Sequence, residues 1–477
     1  MTGKSFIVVV STIKMSPLHN EKPTSPVTQS AGQAVLSSVV SSKAISEICE
    51  ALGDDAQLHL VGGVVRDALC GISQCDIDLA TVLRPGEVSQ GAVDSGLRVI
   101  ETGISHGTVT ILVDNTSVEL TTFRVPGPRE GGAFSETILE DLSGRDFTIN
   151  AIAFSVDHQE FIDPFGGIQD LKDGLLRAVG NPEERFLEDP LRILRMIRFG
   201  AAAGRKTEPS TFQAGKKLVG EIASVSPERI REELVSILLR DHVRVAFEQM
   251  HEIGLLSCIL PELEACVGFD QNEYHSEDVF HHTLTVVERA PREKLLRLAA
   301  LFHDIGKPDS LTIGEDGRRH FFKHEIYGEE IAKRSLLRLH FSKREVKEVC
   351  LLVRQHMRPL DCGPSGLRRI MRDLGEFFDE WLKLKRADKS PAFTEEEFQA
   401  QFNAFLAMLQ AERARTSEPE YGKLAVNGCD LQQIGVPPGP QLGEVLRVLE
   451  EEVIENPSSN TQETLLEIAR RYLELPK

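Results

Sequence analysis

Residues 58–80, LHLVGGVVRDALCGISQCDIDLA, constrain the fold more than any other stretch of the chain. Leu58–Val61 is apolar-leaning and reads as a strand running into the turn Gly62-Gly63. A short helix carrying Arg66 and Asp67 follows, and Gly71 ends it. Asp76 and Asp78 then stand two apart, so on a strand they share one face. Adjacent carboxylates repel and call for a cation, and hard Mg²⁺ prefers such oxygens. The glycines let backbone N–H groups approach a phosphate at the start of a helix, where Arg66 can add a charge-assisted contact. Either half alone reads as an ordinary turn or as surface aspartates. A phosphate cradle followed by paired metal carboxylates outlines phosphoryl or nucleotidyl transfer.

With these residues the chain resembles the nucleotidyltransferase superfamily. Within it, the likeness is to the group holding bacterial CCA-adding tRNA nucleotidyltransferases and poly(A) polymerases. The resemblance runs from about Leu58 to the C-terminus. It implies an α+β fold: an N-terminal nucleotidyltransferase head with a small mixed β-sheet, then an all-α neck, an HD-type helical body and a helical tail. The corresponding boundaries are 1–33 for a disordered N-terminal segment, 34–180 for the head, 181–265 for the neck, 266–400 for the HD-type domain and 401–477 for the tail.

Pattern supports the elements of the head. Residues 34–52 have helical apolar spacing with Gly53 as a stop. Leu97–Ile100, Gly107–Val113 and Ser117–Phe123 read as strands. Glu119 on the last of these could face the aspartates, although a solvent-facing glutamate is the simpler account. Val125–Leu139 is rich in Gly, Pro and Glu and reads as a mobile loop.

The order of motifs sharpens the resemblance. TGISHGTVTI has the form found in CCA-adding enzymes, and the Arg-rich segment of poly(A) polymerases is missing. The loop after TTFR is short, as in members that add only CC. In GRDFTINAIAF, Gly144 replaces the family's usual Arg, while Arg145, Asp146 and Asn150 are retained. In the family this motif contacts sugar and triphosphate; Arg145 suits a phosphate and Asp146 a ribose hydroxyl. Asp163, Gly166, Gly167 and Asp170 resemble a hinge motif, and an ordinary turn explains them nearly as well.

ERFLEDPLRILRMIRFG carries the base-reading motif. Pro190 suits a first helical turn with Asp189 at the cap, and Asp189 and Arg192 are neighbours on one helix face. Cytosine and adenine both offer an amino donor beside a bare ring nitrogen. An Asp accepts from the first and an Arg donates to the second. Guanine and uracil reverse that polarity and leave buried groups unpaired, at about 1–3 kcal/mol each. Alone, Asp189 would be an N-cap and Arg192 a surface charge; the match of EDPLR to the family motif outweighs that. Arg195 and Arg198 continue along the helix toward phosphates. Arg229 and Glu233, in SPERIREEL, read as supporting structure.

A second centre is expected in the C-terminal half. His282, His303, Asp304, His324, His356 and Asp388 are spread over several helical stretches, and such groups can converge on divalent metal within a bundle. The ordered set resembles the HD phosphohydrolase superfamily, which allows this centre a metal-dependent phosphohydrolase activity on a divalent transition metal. Lys307 could meet a phosphate there, and Gly306 reads as a helix stop.

Composition limits the partners. The net charge is −19, which argues against a surface that coats nucleic acid throughout. Charge is nevertheless segregated: residues 177–217 carry nine Lys/Arg against five Asp/Glu, and 444–455 carry five Glu against one Arg. RNA is expected near the first segment. Eight cysteines without pairing rhythm or a CxxC point to a reducing cytosol. No apolar run approaches the ~18 residues of a membrane span. FIVVV is too short for a signal peptide, and Met15 is a second candidate start. The expected activity is addition of C and A to tRNA 3′ ends from CTP and ATP with Mg²⁺. CC-only addition, A-only addition, or hydrolysis at RNA ends by the HD centre stand as alternatives.

Overall fold

The computed structural model describes residues 27–72, 76–101, 103–104, 107–127, 133–271, 277–389, 394–415 and 423–474. The chain divides into two compact units: residues 1–264 with 338–340, and residues 265–337 with 341–477.

The first unit is built on a seven-stranded sheet. Its strands are β1 (His59–Val61), β2 (Ile77–Thr81), β3 (Arg98–Ile100), β4 (Thr108–Val113), β5 (Thr116–Thr122), β6 (Ala153–Ser155) and β7 (Phe161–Ile162). The spatial order is β3-β4-β5-β2-β1-β6-β7. Only β2 and β5 pair in parallel; the other neighbours are antiparallel, so the sheet is mixed. Alternation decides which face is covered. Val118, Leu120 and Thr122 of β5 are buried, whereas Ser117, Glu119 and Thr121 point the other way. The register sets Asp78 beside Glu119 and Leu79 beside Leu120. One face therefore joins the core and the other carries acids.

Several sequence expectations shift. Residues 29–33, placed in the disordered segment, are helical. Residues 34–52 form two helices, Gln29–Val40 and Lys43–Leu52. The Thr28 hydroxyl accepts from Ala31 N at 3.3 Å and starts the first helix. The Ser42 hydroxyl accepts from Ile45 N at 3.5 Å and starts the second, so the break is a capping event. Ile138 and Leu139, assigned to the loop, open the helix Ile138–Ser143, which the Thr137 side chain caps. Residues 128–132 of that loop, three residues of TGISHGTVTI (102, 105 and 106) and Cys75 lie outside the described residues.

Helices complete the first unit, among them Pro182–Glu188, Leu191–Phe199, Pro209–Lys217 and Pro227–Leu238. Each of the last two has Pro at its first turn, as a fixed φ there favours. The hinge-like motif is a cap: Asp163 accepts from Gly167 N at 2.7 Å and Ile168 N at 2.9 Å, and Asp170 accepts from Thr148 Oγ1 at 2.7 Å.

Among the described residues the second unit is helical apart from a small hairpin, Thr312–Ile313 with Arg319–His320, that sequence pattern did not suggest. Trp381 is wholly buried against Phe378 and Phe405 and donates to Gln355 O at 2.9 Å. The tail packs Leu431, Val445, Leu449, Leu465 and Ala469 into a separate cluster. Pro437, Pro438 and Gly439 fall between the helices Gly428–Gln433 and Pro440–Glu455, as expected.

Candidate active site and metal centre

The open face of the sheet in the first unit floors a cleft of about 760 Å³. Gly62, Gly63, Arg66, Asp78, Glu119, Arg145, Asp146, Asn150, Arg192, Arg195 and Arg198 all line it. Gly62 has φ +70° and turns the chain from β1 into the helix Gly63–Leu69. A Cβ at Gly62 would lie 3.4 Å from Arg145 Nη1 and 3.7 Å from Asp78 Oδ2, so this bare backbone brings the two together.

Asp78 is a strongly perturbed acid of the cleft. Burial first, and the neighbouring Glu119 next, push its carboxyl up to about 7, while Arg145 pulls the other way. Two crowded carboxylates on one face fit a hard divalent cation, which would relieve their repulsion. Asp76 sits one residue before β2 and is exposed, and it does not line the cleft. Its charge adds to the upward push on Asp78. Glu119, for which the simpler account was a solvent-facing residue, stands beside Asp78 because β2 and β5 pair in parallel. Sequence pattern does not give that register.

Opposite the acids stands a network of guanidinium groups. Arg66 is buried; its Nε donates to Asp67 Oδ1 at 2.9 Å and its Nη1 to Asn150 Oδ1 at 2.9 Å. Asp146 is also buried and accepts from Phe147 N (2.8 Å), Asn150 Nδ2 (3.0 Å) and Arg195 Nε (2.7 Å). Burial opposes its charge, but Arg195 and Asn150 hold the carboxyl well below the usual carboxylate range. Arg195 and Arg198 both reach Glu233 at 3.1 Å. Arg66, Arg195 and Arg198 gather round the Phe199 ring at 5.1, 5.0 and 4.8 Å from its centroid. Phe199 and Asp141, which anchors Arg145 at 2.9 Å, were not singled out from sequence.

The base-reading residues are engaged elsewhere. Asp189 does not line the cleft; its Oδ1 accepts from Leu191 N at 3.3 Å and its Oδ2 from Arg229 at 2.7 Å. It therefore caps the helix Leu191–Phe199 rather than lying on its face. Arg192 lines the cleft and donates to Gly144 O at 2.8 Å and Glu188 at 3.0 Å.

In the second unit, His282, His303 and Asp388 form one group and Asp304, His324 and His356 another. The ligand atoms within each group lie within 4.8 Å of one another. The His303 Nε2 is buried, 3.1 Å from Asp304 Oδ2 and 3.7 Å from Asp388 Oδ1, without hydrogen-bond geometry to either. Burial opposes charge on His303, but Asp304 and Asp388 outweigh it and lift the imidazole to about 9. A buried nitrogen between two carboxylates fits a metal cation. Lys307 is buried, and its Nζ donates to Gln271 at 2.6 Å and Asp304 Oδ2 at 2.7 Å. Gly306 stops no helix. A Cβ there would come within 2.2 Å of His324 O, so it permits close passage of the helix His324–Arg338.

Three family models match along the chain: the poly A polymerase head domain over residues 58–177, a probable RNA- and SrmB-binding site of polymerase A over 206–267, and the HD domain over 272–389. An A-adding tRNA nucleotidyltransferase of Deinococcus radiodurans is 32% identical over 410 residues, covering 82% of this chain and 90% of the relative. The chain belongs to the tRNA nucleotidyltransferase and poly(A) polymerase family. A CCA-adding enzyme of Limosilactobacillus fermentum is 30% identical over 423 residues, covering 87% of this chain and 93% of the relative. The crystal structure of the Bacillus stearothermophilus CCA-adding enzyme in complex with CTP has the same fold, with a TM-score of 0.66 at 23% identity over 93% of this chain and 98% of that one. This family is divalent-metal dependent. Among the described residues no helix is long and apolar enough to cross a membrane.

Proposed function

We propose that the chain is a template-independent tRNA nucleotidyltransferase that adds C and A from CTP and ATP to the tRNA 3′ end, working in the cytosol with Mg²⁺. The observation that carries this reading is the facing of Asp78 and Glu119 toward Arg66, Arg145, Arg192, Arg195 and Arg198 across one cleft. Asp76 and Asp78 would hold Mg²⁺, with Glu119 as a third carboxylate beside them. Bound there, the metal supplies Lewis-acid activation of the tRNA 3′-hydroxyl and charge neutralisation of the departing pyrophosphate.

The remaining work falls to the chain itself. Gly62 and Gly63 leave room for phosphate oxygens against backbone N–H groups. Arg66 and Arg145 grip the triphosphate, and Arg195 and Arg198 extend that positive wall. Asn150 and Asp146 are set to meet the ribose. To read a base, Asp189 must exchange Arg229, and Arg192 must exchange Glu188 or Gly144 O, for the Watson–Crick edge of C or A. Nucleotide binding is thus coupled to rearrangement at both ends of EDPLR. In this reading the head is 34–180, the neck 181–265, the HD-type domain 266–400 and the tail 401–477.

Addition of the terminal A alone is the second reading, favoured by the A-adding relative from Deinococcus radiodurans. Incubating tRNAs ending before the first C, before the second C and before the A, each with labelled CTP or ATP, separates the two. The HD centre would hold divalent transition metal through His282, His303, Asp304, His324, His356 and Asp388 and hydrolyse phosphate esters. Hydrolysis of a 2′,3′-cyclic phosphate by the metal-loaded protein tests it; no turnover with any divalent metal would overturn it.

A further inference from the structure

Among the described residues six arginines line the cleft of the first unit, and five of them have a carboxylate within ion-pair range. Arg66 has Asp67 at 2.8 Å, Arg145 has Asp141 at 2.9 Å, Arg192 has Glu188 at 3.0 Å, and Arg195 and Arg198 share Glu233 at 3.1 Å. The Arg124 guanidinium has none among the described residues. Its backbone N–H donates to Asp141 Oδ1 at 3.1 Å, but the other oxygen of that carboxylate serves Arg145. Among the described residues the Arg124 side chain makes a single long bond, from Nη2 to Thr108 Oγ1 at 3.4 Å, and its Nε is buried without a hydrogen-bond partner. Burial pushes this guanidinium below the usual arginine range, with Asp141 opposing. A cation drawn out of water without a counter-ion costs free energy that a bound anion would offset.

The place of Arg124 in the sheet points to which anion. In the order β4-β5-β2-β1, Glu119 and Asp78 stand on the two middle strands. The helix carrying Arg66 follows β1, on one flank of the acids, and Arg145 lies against Gly62 on the same flank. Those are the cations given above to the triphosphate. Arg124 reaches Thr108, at the start of β4, on the other flank. There it has an aromatic neighbour. Phe134 forms an isolated β-bridge with Arg124, lines the same cleft and holds the Arg84 guanidinium 4.8 Å from its ring centroid. Gly107, at φ +77°, permits this packing: a Cβ there would lie 2.9 Å from Phe134 Cε1 and 3.7 Å from Arg124 Nε. A cation beside an aromatic ring is the pairing that holds the phosphate and base of one nucleotide in a single strand.

We propose that Arg124 binds the phosphodiester preceding the 3′-terminal nucleotide of the acceptor tRNA, with Phe134 beside that nucleotide's base, and so directs its 3′-hydroxyl toward Asp78 and Glu119. The proposal rests on the nucleotidyltransferase reading above and adds a contact for the acceptor strand. A phosphate of the nucleoside triphosphate offers the same oxygens, and the test separates the two sources.

The full chain with Mg²⁺ is given an acceptor tRNA whose last linkage is either the natural phosphodiester or a neutral methylphosphonate. Values of kcat/KM are compared for the parent, Arg124→Gln and Arg124→Lys. The parent should lose about 10- to 100-fold on the methylphosphonate, as for one charge-assisted hydrogen bond. Arg124→Gln should lose as much on the natural tRNA and less than about two-fold more on the modified one, because both changes remove the same contact. Arg124→Lys should recover part of the loss, and the KM for nucleotide should stay within about two-fold of the parent in both variants. Losses that multiply when the two changes are combined overturn the proposal. A raised KM for nucleotide with no effect on tRNA assigns Arg124 to the triphosphate and overturns it as well. A parent that extends the methylphosphonate tRNA undiminished overturns it without any variant. A parent that extends no natural tRNA overturns the nucleotidyltransferase reading itself, and this contact with it.

Discussion

Asp78→Asn is predicted to abolish nucleotidyl transfer and, without metal, to make the protein more stable. Burial and Glu119 raise the Asp78 carboxyl from its ordinary 3.8 to about 7. An acid with a raised folded-state pKa keeps its proton to higher pH than the unfolded chain does. Its contribution to stability therefore falls as pH climbs from about 4 to about 7, and the loss is complete above that. A displacement of this size is worth about 4 kcal/mol. Asp78 keeps part of its surface in water, so screening leaves about 2 kcal/mol. For a cooperative unit of the first unit's size that corresponds to roughly 3–4 °C in melting temperature. Asparagine removes the charge and keeps the shape. Thermal melts with EDTA at pH 8.5 should put the variant above the parent by that amount, and the two should converge at pH 4. Excess Mg²⁺ should raise the parent and leave the variant unmoved, since only the parent keeps the anionic site. A variant no more stable than the parent at pH 8.5 in EDTA would refute the claim that crowding at Asp78 is relieved by metal.

Glu233→Gln removes the carboxylate shared by Arg195 and Arg198; we expect a raised KM for nucleotide and a loss of about 2 kcal/mol in urea unfolding of the first unit. Glu208 accepts from Thr211 N, Thr211 Oγ1 and Ser210 Oγ at 2.8, 3.0 and 2.6 Å, and these bonds hold its carboxyl at about 2 against the opposing effect of burial. The stability it supplies is therefore full above pH ~4.5 and lost as pH falls toward 2; Glu208→Ala should cost about 1 kcal/mol at pH 7 and nothing at pH 2. Gly306→Ala forces a methyl onto His324 O and should lower the melting temperature of the second unit, at about 1–3 kcal/mol or more. Arg229→Ala frees Asp189 from its ion-pair partner and should change discrimination between C or A and the other bases more than it changes overall rate.

Local chemistry and motif order carried much of this architecture. The Gly62-Gly63 turn, strands β1 and β5 and the Pro-initiated helices follow from nearest-neighbour preferences that survive folding. What sequence left open depends on partners distant in the chain. Glu119 meets Asp78 because two strands pair in parallel and in register, and Asp189 meets Arg229 forty positions later. Lys307, beside an HD doublet, is chemically suited to a phosphate. Its burial against Gln271 follows only from how the helices pack. The break at Ser41-Ser42 was hidden by apolar spacing that continues across it, and the hydroxyl cap that restarts the helix is a smaller signal than the pattern it interrupts.

The most direct measurement is incorporation of each labelled nucleoside triphosphate into tRNA lacking its terminal three nucleotides, or only its terminal A, by the parent protein and by the Asp76→Asn/Asp78→Asn double variant. The account predicts incorporation from CTP and ATP alone, none from GTP or UTP, and none at all by the double variant. Incorporation that survives loss of both aspartates, or that accepts all four nucleotides equally, would contradict it.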